Sequence, residues 1–165
     1  MQDMGDDCLP SFLADPQHAR PIVLAKYFIA FASAVMAALG SIHLLYTFWG
    51  TRLFPRDPAV QAAMDATSLR LTAETTVWKA WLGFNASHSI CAIFFGLVYG
   101  YLALGHPDFL LRSLYLQAVG LVVLVGFVIL AKLYWFSIPF FGVSLALGSY
   151  VAGTLIAHLA AGRGA

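Results

Sequence analysis

Four stretches of this chain, at about residues 22–49, 78–104, 110–133 and 136–161, are long and apolar enough to cross lipid hydrocarbon. Hydrocarbon offers no hydrogen bonds, so a spanning backbone must satisfy its own amides, and helices of this length do so. With 61% hydrophobic and 10% charged residues and a mean hydropathy of +0.80, an ordinary soluble domain is excluded, because such domains carry about 25% charge. The expected fold is an all-α membrane protein, a four-transmembrane-helix antiparallel bundle within a single domain over 22–161. Residues 1–21 form a polar N-terminal tail and 162–165 a C-terminal tail.

The tail carries Asp3, Asp6, Asp7 and Asp15 and lacks the basic and apolar regions of a signal peptide, so no cleavage is expected. The net charge of +1 comes without the basic patch that phosphate backbones require, so no nucleic-acid partner is expected. Cys8 and Cys91 are the two cysteines, and neither has ligand or redox spacing. Between spans one and two, Asp57 and Pro58 read as an N-cap and a first helical position. They predict a short interfacial helix at about 58–76, with Val60, Met64 and Leu71 on one face and Arg70 and Glu74 as an ion pair. That helix reads as a surface connector or as a lid over the next span. The links at 105–108 and 132–139 are short, with Tyr134 and Trp135 suited to an interface, so consecutive spans are expected to be neighbours. Arg20, Lys26, Arg112 and Arg163 fall on the terminal side, and Arg52, Arg56, Arg70, Lys79 and Lys132 on the other. That near balance leaves only the clustering of basic residues at span ends to favour cytoplasmic first and third loops.

Polar residues inside a span are expensive unless they face protein or a wet cavity. The second span concentrates them: Trp81, Asn85, Ser87, His88 and Ser89 occur within nine residues. Helical spacing puts Trp81, Asn85, His88 and Ala92 on one stripe, with Ser89 beside it. The first span adds His43, together with Gly40, Ser41 and Thr47. Counted inward from Trp49 and Trp78, His43 is about 9 Å deep and His88 about 15 Å deep. Three uses follow from these residue types. Helix ties of about 0.6 kcal/mol each need only Asn, Ser and His between helices. Axial haem ligation or a metal needs two imidazoles at one level, and the depth difference of about 6 Å opposes it. No zinc set is completed, and no metal site is expected. General acid-base chemistry on a lipid-like substrate would use His43 or His88, with Glu74 and Lys79 at the mouth, yet no nucleophile motif accompanies them. His158 lies toward the far end of the fourth span, while His18 and His106 read as interface or loop residues. Gly96 and Gly100 have the spacing of a close helix contact, and Gly142, Ser149 and Gly153 offer a similar surface on the fourth span.

The run Trp78-Lys79-Ala80-Trp81-Leu82-Gly83-Phe84-Asn85-Ala86-Ser87-His88-Ser89, with Ser137-Ile138-Pro139-Phe140-Phe141-Gly142, resembles small uncharacterised bacterial four-span integral membrane proteins. The resemblance implies the architecture, a bacterial inner membrane and interest in Asn85 and His88. It carries over no activity and no catalytic residue. Taken together, the residues point to a non-enzymatic interaction or accessory subunit, with a membrane-protein partner or a homo-oligomer besides the lipid bilayer. The competing reading is an intramembrane cavity protein that binds a lipid, quinone or haem at His43, Asn85 and His88.

Overall fold

The computed structural model describes residues 16–162. The expected tails lie largely outside that range, at residues 1–15 and 163–165. The elements are α1 (Pro16–Phe48), α2 (Pro58–Ala66), β1 (Ser68–Leu69), β2 (Thr72–Thr76), α3 (Val77–Gly105), α4 (Pro107–Arg112), α5 (Leu114–Tyr134) and α6 (Ser137–Gly162). Helices α1, α3, α5 and α6 are each long and apolar enough to span a membrane. Their outward faces keep Phe84, Phe94, Val122 and Phe141 exposed, an apolar coat that water would penalise and acyl chains accept. The chain is an integral membrane protein built as an antiparallel four-helix bundle, as its sequence predicts.

Helix α1 is the hub, packing against α3 on one side and α6 on another, while α5 packs chiefly on α6. Small residues make this possible. A Cβ added at Gly96 would stand 2.6 Å from the Ser33 carbonyl oxygen, and one at Gly40 would stand 2.8 Å from that of Ser89. On the α6 side, a Cβ at Gly153 would meet the Ala25 carbonyl at 2.8 Å, and the Ser149 hydroxyl donates to the Phe28 carbonyl at 2.9 Å. Gly142 faces the Leu39 side chain, whereas Gly100 has only ordinary contact with Ser33. The glycine surfaces read from α3 and α6 therefore do not meet each other. Each is filled by α1.

Not every consecutive pair of spans is a close pair. The backbones of α1 and α3 pack closely, as do those of α5 and α6, but α3 and α5 stand apart. Large side chains fill the space between them: Tyr99 reaches across to donate to the Leu116 carbonyl at 2.7 Å, and Phe127 of α5 and Trp135 just after it pack on His88 of α3. Aromatic side chains hold helix axes farther apart than glycine and serine do.

The link between α1 and α3 departs from the expected long helix. Asp57 caps α2, accepting from the Ala59 amide at 2.9 Å with Pro58 at the first position, but the helix stops at Ala66. Thr67 is extended, and the chain continues as an antiparallel hairpin of β1 and β2. The β-branched run Thr72, Thr75 and Thr76 favours extended backbone over another helical turn. Leu71 is 92% exposed in the hairpin turn, so it shares no helical face with Val60 and Met64. Arg70 and Glu74 are likewise not on a helix. The third span is shorter than its apolar run, because Ser113 breaks the chain after α4 and caps α5 by accepting from the Leu116 amide at 3.3 Å.

The packing predicts that Gly96→Ala destabilises the protein by about 1–3 kcal/mol, because the added methyl meets backbone that cannot swing aside. Gly83→Ala, at a position with nothing within 4 Å, is expected to be neutral or slightly stabilising. Thermal melts of the two variants in the same detergent measure the difference, and equal melting temperatures would sink the account of α1 as hub.

Candidate functional site

The register of α1 on α3 decides which polar residues meet. Gly40 against Ser89, and Ser33 against Gly96, place His43 level with the turn from Asn85 to His88. The His43 and His88 rings are 5.7 Å apart, edge to face, so the depth difference inferred by counting from the tryptophans does not separate them. The rise along each helix is unchanged. The starting points differ, because the glycine contacts set the two helices' relative height, and side-chain reach closes the remainder.

Asn85 is buried, and each polar atom of its side chain has a partner. Its amide nitrogen donates to the Trp81 carbonyl at 2.8 Å, leaving Oδ1 to accept from His43 Nε2 at 3.0 Å. With Nε2 as donor, Nδ1 of a neutral His43 is the acceptor. Below it, the Thr47 hydroxyl donates to the His43 carbonyl at 2.9 Å. The amide thus serves as a tie between α1 and α3.

His88 is different. Its ring packs with four others: Trp135 at 4.5 Å, Phe127 at 5.1 Å, His43 at 5.7 Å and Phe84 at 6.4 Å between centroids. No described residue hydrogen-bonds it. Every buried side-chain nitrogen or oxygen among the described residues has a partner, so the ring nitrogens of the half-buried His88 are not sealed in a void. By helical rise, His88 sits about 15 Å inside α3 from Trp78, near mid-membrane.

The remaining members of the polar run separate. Ser89 is completely buried, and its hydroxyl donates to the Asn85 carbonyl at 2.8 Å. Ser87 is exposed on the outer face and donates to the Phe84 carbonyl at 3.0 Å. It does not join the site, and the expectation that it turns inward fails. A serine can face lipid because its helix offers a carbonyl within reach. Trp81 is partly exposed and donates through Nε1 to the Leu53 carbonyl at 3.3 Å. It pins the loop after α1 over the start of α3, where Phe54 also packs on Trp78 at 4.8 Å.

These contacts limit the chemistry. Both serine hydroxyls spend their protons on helix carbonyls, so neither forms the hydroxyl-to-imidazole pair that activates a nucleophile. Glu74 and Lys79 are exposed in β2 and the first turn of α3. No group of three His, Cys, Asp or Glu residues converges among the described residues, short of the set a structural zinc takes. Asn85 occupies Nε2 of His43, so bis-histidine haem ligation would have to break the helix tie. What the arrangement offers is hydrogen bonding to a lipid-soluble group from one open imidazole, backed by a second.

A second polar cluster lies toward the other end of the bundle and centres on Gln117, which the sequence reading did not single out. The side-chain nitrogen donates to the Leu111 carbonyl at 2.7 Å, and Oε1 accepts from His158 Nε2 at 2.8 Å. The Tyr150 hydroxyl donates to the Gln117 backbone carbonyl at 3.1 Å. His158 is indeed remote from the His43 pair, and its role is to tie α6 to α5. An amide in an otherwise apolar span was the available signal. Compared with known protein families, curated proteins and solved structures, the chain matches none.

Asn85→Ala should cost about 0.6–2 kcal/mol, because it removes the tie and strands the His43 donor, whereas Ser87→Ala should change stability by well under about 0.5 kcal/mol. A double-mutant cycle on His43 and Asn85, read by unfolding in detergent, is expected to give a coupling near 0.6 kcal/mol. Zero coupling would remove the tie from the account.

Proposed function

We propose that this integral membrane protein binds, inside the membrane, a lipid-soluble ligand bearing a carbonyl or hydroxyl group of the quinone or lipid-ester kind. The imidazole of His88 forms its polar contact, backed by that of His43. The observation that carries the reading is His88, which has four ring neighbours and no hydrogen-bonding partner among the described residues. An imidazole at that depth is costly unless something satisfies it. The aromatic surround of Phe127 and Trp135 suits a flat or apolar ligand body, and the open nitrogen suits its polar atom. The reading is of binding, with His43 held by Asn85 and His88 free to engage. The bilayer is a bacterial inner membrane in this proposal, with the first and third loops cytoplasmic.

The second reading is an interaction or accessory subunit, or a homo-oligomer. The glycine faces that first favoured it are filled within the chain by α1. One outward feature still supports it: Gly126 of α5 has open space around it and lies among exposed Val122, Ile129 and Leu130, a small-residue gap in an apolar stripe.

Purification from native membranes in mild detergent, followed by an absorption spectrum and mass spectrometry, separates the two. The expected outcome is one stoichiometric lipophilic small molecule. Its retention should fall about tenfold in His88→Phe, the worth of one good hydrogen bond, while the melting temperature holds because the variant keeps the ring contacts. A defined set of partner proteins with no small molecule would instead establish the subunit reading.

A further inference from the structure

Between α1 and α6, away from the imidazole pair, a groove of about 530 Å3 opens on the outer surface, lined by Leu24, Tyr27, Phe31, Leu145, Gly148 and Ser149 among others. Its walls are tall and its floor is low. Leu24, Tyr27, Phe31 and Leu145 are half-exposed, whereas a Cβ at Gly148 would meet nothing within 4 Å, and Ser149 already spends its hydroxyl on Phe28.

The groove has a charged end. Arg20, which is exposed, lies four and seven residues before Leu24 and Tyr27, on the same face of α1. It stands about 6 Å beyond the groove mouth by helical rise, and Phe31, the deepest lining residue on α1, lies about 16 Å in from Arg20. That depth matches one leaflet, half of a hydrocarbon core about 30 Å thick. Lys26 adds a second cation, its ammonium 5.2 Å from the centre of the Tyr27 ring. A long basic side chain on a spanning helix carries its charge toward the headgroups.

We infer that this groove is a site for one anionic phospholipid, with its phosphate at Arg20 and Lys26 and one acyl chain lying along Tyr27, Phe31 and Gly148. Charge at the rim and apolar depth below it are the two parts of such a molecule, in the order and at the spacing a single leaflet presents them. A second copy of the chain fits less well. A two-fold contact about an axis normal to the membrane would bring each Arg20 toward its own counterpart, and like charges oppose that.

The test uses the full chain purified in mild detergent and exchanged into nanodiscs of phosphatidylglycerol and phosphatidylcholine in equal parts. Lipid carried through delipidating washes is then counted by native mass spectrometry. Wild type should retain one phospholipid, enriched in phosphatidylglycerol. Arg20→Gln should cut that enrichment about fivefold, the contribution of one basic side chain at an anionic surface. Gly148→Phe, which fills the groove where there is room for a side chain, should abolish retention of either lipid and leave the melting temperature in place. Equal retention of both lipids by wild type, or undiminished retention in Gly148→Phe, would overturn the assignment. So would a wild-type dimer that Gly148→Phe converts to monomer, which would give the groove to a second copy.

Discussion

Everything in this bundle depends on how closely one helix can approach two others. α1 lies against α3 at Gly40 and Gly96 and against α6 at Gly153, where glycine brings backbone to backbone. In lipid there is no hydrophobic gain in burying one apolar helix against another, so van der Waals contact at short range is the main source of association. Those contacts also act as a ruler. They fix the relative height of the helices to within a turn, and every polar encounter described above follows from that height.

The imidazole pair is the clearest consequence. His43 and Asn85 are forty-two residues apart in the chain and 3.0 Å apart in space, because Gly40 and Ser89 meet one turn away. The tie gives both polar atoms of the Asn85 amide a partner and leaves His88 among aromatic rings without one. A single span thus holds two polar residues three positions apart with opposite fates: one is spent on the fold, and the other has no hydrogen-bonding partner among the described residues. The loop after α1 takes part by way of Leu53, whose carbonyl receives the Trp81 indole, so the cap over this end of the bundle is tied to the same stripe.

The opposite end is organised by a second principle. Between α3 and α5 the spacing is set by aromatic side chains, and the Tyr99 hydroxyl crosses it to the Leu116 carbonyl, while the Tyr150 hydroxyl of α6 reaches the Gln117 carbonyl of α5. Tyrosine and glutamine hydrogen bonds brace this half, whereas the half near Gly40 combines steric fit with the His43–Asn85 tie. The outer groove between α1 and α6 belongs to neither scheme. It persists because Gly148 puts no side chain on its floor, and its neighbours along the lipid-facing surface do not close over it.

Much of this was legible in the residues. The spans followed from apolar length, the start of α2 from Asp57 and Pro58, and the involvement of Asn85 and His88 from polarity in a setting that does not tolerate it idly. Composition and periodicity act locally, so they report which segments enter the membrane and which side chains will be costly there. They were silent where the outcome depended on partners. Thr67 to Thr76 became a hairpin because β-branched residues were free to pair across a turn, Ser87 faced outward because its own helix satisfied it, and Gln117 mattered because His158 and Tyr150 arrived from α6. The sequence by itself determined the membrane class, the number of crossings and the inventory of polar groups. Only the tertiary structure decided which of them meet, because the register between helices is set by contacts between distant glycines and carbonyls, and no local pattern encodes a relative height.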